Sequence, residues 1–122
     1  IDVARGLRRD DIVAVENQFS TIYSPPAGTG RRTESLGIPF VCWSPLGGSR
    51  KPKYDSTFVP FRGVADKYGV SYQRVVLAWE LSQGGNVFVI PGAHRPQTIV
   101  DSLQAGDLIL DDEDLAALPR VD

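Results

Sequence analysis

The chain of 122 residues contains no methionine and only one cysteine. One cysteine cannot form a disulfide within the chain, so stability must come from a hydrophobic core, which a chain of this length can build. Cys42 lies in the apolar segment 38–43 and is typical of a small core side chain in a protein from a reducing compartment. We therefore expect a cytoplasmic location.

Long apolar runs and an excess of one charge are also missing. The apolar segments are far shorter than the roughly 18 residues that span a bilayer. The 13 Lys and Arg residues against 15 Asp and Glu residues give a net charge of −2. We therefore expect neither membrane insertion nor electrostatic binding to nucleic acid. The N-terminus has neither a starting methionine nor a signal-peptide pattern, so we expect the chain to be part of a longer protein.

The rest of the composition is ordinary for a globular protein. Apolar residues make up 42% and charged residues 23%, which predicts one domain over residues 1–122. Short, continuous apolar segments are typical of strands buried on both faces. Three are present, at residues 12–15, 38–43 and 86–90.

Helical patterns separate these strands. Ser and Asp accept hydrogen bonds from first-turn N–H groups, and glycine adopts the left-handed conformation that ends many helices. Helices are predicted over residues 59–68 with Gly69 as the C-cap, from Ser71 to before Gly84, from Arg95 and Pro96 to Leu103, and from Asp111. Two prolines and two glycines within residues 25–30 mean that any helix there must be short or late.

Strands that alternate with helices predict an α/β fold of parallel βα units. Three units cannot close an eight-stranded barrel, which takes about 250 residues. Two arrangements follow from the residues alone. The chain is either a small open sheet or the last part of a larger barrel.

Five segments carry a resemblance to a known family. They are VENQFS at 15–20, WSPLGG at 43–48, LAW at 77–79, IPGAHRP at 90–96 and DLILDDE at 107–113. In this order and spacing they resemble the C-terminal part of an aldo-keto reductase. The match runs from just before the sixth strand of that family's barrel to just beyond the eighth.

The resemblance implies a (β/α)8 TIM barrel that binds NADPH and reduces an aldehyde or ketone by hydride transfer. It also implies that the family's catalytic Asp, Tyr, Lys and His lie on earlier strands, ahead of this sequence. Neither the tyrosines nor His94 match those positions, so no catalytic residue and no metal site is assigned. The tyrosines in question are Tyr23, Tyr54, Tyr68 and Tyr72.

An isolated portion of a barrel has open sheet edges, which pair readily with other chains. We therefore expect this chain alone to be inactive and to associate with a missing N-terminal half or with itself. A different class of function is a non-catalytic scaffold or regulatory module derived from a reductase.

The resemblance assigns much of the cofactor site to two loops. Trp43 matches the aromatic side chain that stacks on the nicotinamide, with a core tryptophan as the alternative. Ser44 and Leu46 match contacts to the pyrophosphate and ribose, and Pro45 shapes their turn. The alternative for this turn is a tight loop without a ligand.

The second loop precedes a predicted helix. Unpaired N–H groups make a helix N-terminus a natural anion site. In the family this loop holds the adenosine 2′-phosphate, so Gly92 and Arg95 are assigned to it, and the Arg95 guanidinium is suited to phosphate. His94 stands where the family usually has a small hydroxyl residue, and it is either a second donor or a solvated side chain.

Three further positions match the family's adenine contacts. Thr98, Asp101 and Ser102 stand where Gln, Glu and Asn are more usual, and the last two changes weaken those contacts. Lys51 and Lys53 lie on a loop that in the family often folds over the pyrophosphate, with a solvated loop as the alternative.

Glu16 is a further cofactor residue and departs from the family pattern, which has glutamine there. Glutamine both donates to and accepts from the nicotinamide carboxamide, whereas an ionised glutamate only accepts. A charged Glu16 is expected to favour the cationic, oxidised nicotinamide.

Overall fold

A computed structural model describes residues 1, 6, 12–48 and 56–121 of the chain. Its sheet consists of three parallel strands in the order β1 (Val15–Gln18), β2 (Phe40–Trp43), β3 (Val87–Ile90). The predicted α/β fold with parallel strands is thereby confirmed.

Helices connect and cover these strands. They are α1 (Thr29–Ser35), α2 (Val59–Tyr68), α3 (Tyr72–Leu81), α4 (Pro96–Leu103) and α5 (Asp112–Ala117), with 3₁₀ turns at Ser56–Phe58 and Gln104–Asp107. Among the residues that the structure describes, every helix is too short or too polar to span a lipid bilayer.

The predicted capping residues set several helix boundaries. Gly69 ends α2 in the left-handed conformation with φ of 64°, and the Ser71 hydroxyl accepts a hydrogen bond from Arg74 N at the start of α3. Asp111 and Asp114 form a reciprocal capping box at α5. Helix α1 is short and late, as expected, because it begins only after residues 25–28.

The predicted position of the first strand is wrong. The apolar segment 12–15 lies almost entirely before β1, and Val13 is 84% exposed. Strand formation depends on a hydrogen-bonding partner, and β2 pairs with residues 15–18, so polar Glu16 and Asn17 lie in the strand instead. The apolar residues therefore lie mostly before β1, and the strand itself is largely polar.

The helices bury one face of the sheet. Phe40 and Cys42 of β2 point into this layer, and the Trp79 ring lies 5.6 Å from that of Phe19. Trp79 also donates a hydrogen bond of 3.1 Å from Nε1 to the Pro119 carbonyl. The core comprises Phe19, Phe40, Cys42, Phe58, Phe61, Val64, Ala65, Val75, Val76, Trp79, Val87 and Leu118.

The other face of the sheet is open in this portion of the chain. Trp43, Phe88 and Ile90 are 40%, 54% and 51% exposed. Alternate residues of a strand point to opposite faces, so these side chains point away from the core formed around Phe40 and Cys42. In the described parts of the chain no layer covers them.

Candidate cofactor-binding site

The strand register brings the predicted loops to one edge of the sheet. Gln18 lies opposite Trp43, and Trp43 lies opposite Ile90, so the three strands end in one row. The segments that follow β2 and β3 therefore begin side by side. Ligands of parallel α/β sheets bind at this carboxyl edge.

The turn after β2 has an unusual backbone. Ser44 has φ of 50°, the only positive value among the described non-glycine residues. Its carbonyl accepts a hydrogen bond of 2.8 Å from Gly47 N, and Gly47 and Gly48 continue with φ of 84° and 61°. A left-handed conformation is unfavourable for serine. Such backbone conformations concentrate at ligand clamps and active sites.

Two cavities at this edge share three lining residues and are together called the groove. The larger has a volume of about 570 Å³ and the smaller about 390 Å³. Leu46, Gly92 and His94 line both. The predicted residues in the smaller cavity are Ser44, Pro45, Leu46, Gly92 and His94. Those in the larger are Leu46, Gly92, His94, Arg95, Thr98, Asp101 and Ser102.

The start of α4 is suited to an anion. Arg95 precedes this helix in an extended conformation and makes no side-chain cap, and Pro96 occupies the first turn. His94 and Arg95 are both exposed at the groove. An uncapped helix start beside a guanidinium offers both the dipole and the charge that a phosphate group requires.

Asp101 lines the larger cavity, but its carboxylate already has protein partners. Arg74 Nε donates to Asp101 Oδ1 at 2.9 Å, Arg74 Nη2 donates to the same atom, and the Ser71 hydroxyl donates to Oδ2. The three residues are partly buried and join α3 to α4. Sequence patterns did not reveal this pair, because the two residues lie 27 positions apart.

Gln73 is a cavity residue that the sequence analysis missed. It lies in the first turn of α3 and is half-buried against the larger cavity. The sequence signal that could have identified Gln73 is its position two residues after the helix N-cap Ser71. None of the motifs that carried the resemblance includes this position.

Trp43 and Glu16 lie on the open face of the sheet. Trp43 is 40% exposed, and the tryptophan in the core of the described residues is Trp79. Glu16 is exposed and pairs in register with Val41, whose other neighbour is Phe88. Neither Trp43 nor Glu16 lines the two cavities.

The tyrosines and lysines considered in the sequence analysis do not line the two cavities, as far as the structure describes them. Tyr68 donates a hydrogen bond to Asp114, and the Arg62 guanidinium lies 5.1 Å from the centroid of the Tyr72 ring. Lys51 and Lys53, like Tyr54, lie outside the described residues. The described residues contain no group of three His, Cys, Asp or Glu side chains that would hold a metal ion.

A parallel α/β sheet with a groove at its carboxyl edge is an architecture that many ligand-binding α/β proteins share. A sequence profile of the Aldo/keto reductase family matches residues 2–122. The chain belongs to this family.

Individual relatives agree with the profile. Methylglyoxal reductase DkgA of Escherichia coli K12 is 32% identical over 80 residues, which cover 66% of this chain and 28% of that protein. The thermostable aldo-keto reductase Tm1743, solved with the inhibitor epalrestat, superposes with a TM-score of 0.84 at 24% identity over 94% of this chain and 42% of its own. A variant of Gox0644, solved with NADPH, gives a TM-score of 0.76 at 20% identity over 95% and 40% of the two chains.

The chain thus spans less than half the length of these relatives. Its fold corresponds to a portion of a TIM barrel, which confirms the second of the two arrangements that the sequence left open.

Proposed function

We propose that residues 1–122 form the cofactor-binding portion of an NADP-dependent oxidoreductase that reduces an aldehyde or ketone. The observation that supports this most is the pair of cavities with shared lining residues between the turn after β2 and the start of α4. The Gox0644 variant of the same fold was solved with NADPH. When bound, NADPH would supply a hydride to the carbonyl carbon, and the carbonyl oxygen would take up a proton.

The groove suits an extended dinucleotide phosphate. Ser44 and Leu46 line its smaller cavity and would hold the pyrophosphate and ribose. Arg95, at the uncapped start of α4, would hold the 2′-phosphate through charge-assisted hydrogen bonds. Trp43 offers an exposed aromatic face on which the nicotinamide can stack.

We further propose that the catalytic residues lie in another part of the barrel and that this chain alone is inactive. The open sheet face and a mostly apolar groove of about 350 Å³ support association with that part or with a second copy. Val89, Ile99 and Leu103 line this groove. The cytoplasmic location remains a prediction.

The proposal is tested by titrating NADPH and NADH into the protein, alone and with a polypeptide that carries the first five βα units of an aldo-keto reductase. We expect NADPH to quench the fluorescence of Trp43. Replacing Arg95 by alanine is expected to weaken NADPH binding about 10- to 100-fold and to leave NADH binding nearly unchanged, because only NADPH carries the 2′-phosphate.

Arg120→Ala is a matched control, because Arg120 is exposed and lines neither cavity. Equal weakening by both arginine variants would contradict the assigned phosphate site. If no variant binds NADPH when the other barrel part is supplied, the alternative of a non-catalytic scaffold is supported. A monomer at all concentrations by size exclusion would contradict self-association.

A further inference from the structure

Gln73 lines the larger cavity from the first turn of α3. It lies between Ser71 and Arg74, and both of these side chains donate hydrogen bonds to Asp101 of α4. The Ser71 hydroxyl also caps α3 by accepting from Arg74 N at 3.1 Å. The first turn of α3 is therefore tied to α4 on both sides of Gln73.

Asp101 is poorly suited to bind a base directly. Three donors take up three of the roughly four acceptor positions on its two carboxylate oxygens, and an ionised carboxylate only accepts hydrogen bonds. A base contact would have to share these oxygens or displace Arg74. The Arg74–Asp101 ion pair is partly buried, with the side chains 21% and 27% exposed, so displacing it is unfavourable.

Gln73 has the complementary chemistry. Its amide both donates and accepts, and adenine offers a donor at its N6 amino group beside an acceptor at N7. Glutamine can bond to both atoms at once. Thr98 lines the same cavity with only a hydroxyl to offer. Gln97 also lines it with an amide, but Gln97 is exposed, whereas Gln73 is half-buried beside the residues that bind Asp101.

We propose that Gln73 recognises the adenine base of the dinucleotide, and that Asp101 is a positioning residue that holds Gln73 in place through Ser71 and Arg74. This inference rests on the proposed function. It differs from the assignment that the resemblance suggested, in which Asp101 contacts the adenine itself.

The test compares NADPH with its hypoxanthine analogue, in which an oxygen replaces the N6 amino group. The wild-type protein is expected to bind NADPH about 10-fold more tightly than the analogue, because the base amino group bonds to Gln73. Gln73→Leu is expected to bind both equally. Gln104→Leu is the control, since Gln104 is an exposed glutamine outside the cavity.

If Asp101 acts by positioning Gln73, breaking the Arg74–Asp101 ion pair from either side should have the same effect. Arg74→Met should reduce the preference for adenine as much as Asp101→Asn does, whereas a direct Asp101 contact would survive in Arg74→Met. Circular dichroism of each variant verifies that the helix content of the chain is unchanged. Arg95→Ala should keep the full preference for adenine while losing affinity for NADPH.

The outcomes separate the two proposals. If Gln73→Leu keeps the wild-type ratio while NADPH still binds, the inference about Gln73 is wrong and the proposed function stands. If the wild-type protein binds neither dinucleotide when the other barrel part is present, both are wrong.

Discussion

The carboxylate of Asp114 accepts a hydrogen bond from the phenol of Tyr68, and this bond joins α5 to α2. Lys67 donates to the other oxygen of the same carboxylate at 2.8 Å. Asp114 is only 3% exposed, so its charge depends on these donors. Burial raises the pKa of Asp114, but the hydrogen bonds from Lys67 and Tyr68 outweigh it and lower the pKa from 3.8 to about 2.

We predict that Asp114 makes folding sensitive to acid. A depressed pKa in the folded state means that its contribution is fully present above about pH 4 and is lost as the pH falls through about 2. Asp114→Asn should lower the free energy of unfolding by about 1.5–3 kcal/mol at pH 7. Urea denaturation between pH 2 and 7 measures this, with the exposed Asp112→Asn as control. Identical pH profiles for Asp114→Asn and the wild type would refute the prediction.

A second prediction concerns Glu80. This side chain is fully buried on α3, and neither carboxylate oxygen has a hydrogen-bond partner. Burial raises the pKa of Glu80 from 4.5 to about 10. The folded protein therefore keeps a proton that the unfolded chain releases, so stability should fall as the pH rises from about 4.5 to about 10.

Two substitutions of Glu80 separate charge from polarity. Glu80→Leu should raise the free energy of unfolding by about 1–3 kcal/mol at pH 8, since it removes an unpartnered buried polar group. Glu80→Gln should remove the pH dependence while keeping much of the cost. The exposed Glu34→Gln is the control. An unchanged pH slope in both Glu80 variants, measured by urea denaturation, would show that Glu80 is not protonated in the fold.

Local signals accounted for most of the fold. The caps at Ser71 and Asp111 and the end of α2 at Gly69 are decided within a few residues, so the sequence was sufficient to place them. The sequence was not sufficient to place β1. The position of this strand depends on pairing with a strand 25 residues further along the chain, as in Val15 with Phe40.

In the candidate site, too, local sequence predicted some features, whereas others depend on long-range packing. The motifs predicted the loops that carry Ser44 and Arg95, and in the structure each residue lines one of two cavities that share Leu46, Gly92 and His94. It also shows contacts that no motif contains, such as the ion pair between Arg74 and Asp101 and the presence of Gln73 in the cavity. These contacts depend on how two helices pack. Sequence patterns within either helix do not contain that information.

A third prediction concerns the turn after β2. A Cβ atom on Gly48 would lie 3.1 Å from the Ser44 hydroxyl oxygen, and Gly48 has φ of 61°. Gly48→Ala should therefore strain the turn by about 1–2 kcal/mol and weaken NADPH binding about 5- to 30-fold. Calorimetric titration measures the affinity, and Gly85→Ala is the control, because a Cβ there meets nothing within 4 Å. Equal affinities for the two variants would mean that the backbone of this turn does not hold the cofactor.

The last prediction concerns Glu16 and the redox state of the cofactor. Glu16 lies on the open face of the sheet that also carries Trp43, one strand away. The nicotinamide ring is positively charged in NADP⁺ and neutral in NADPH, so a nearby carboxylate should stabilise the oxidised form. Replacing Glu16 by glutamine should weaken NADP⁺ binding relative to NADPH about 5- to 10-fold, which for a two-electron couple is about 20–30 mV.

Separate calorimetric titrations of NADP⁺ and NADPH into the wild type and Glu16→Gln measure this ratio. Glu113→Gln serves as control, because Glu113 is an exposed carboxylate on α5. A charge effect also requires that the ratio shift less at high salt, since salt screens exposed charges. If Glu16→Gln changes both affinities by the same factor, the carboxylate contributes to binding but does not distinguish the two redox states.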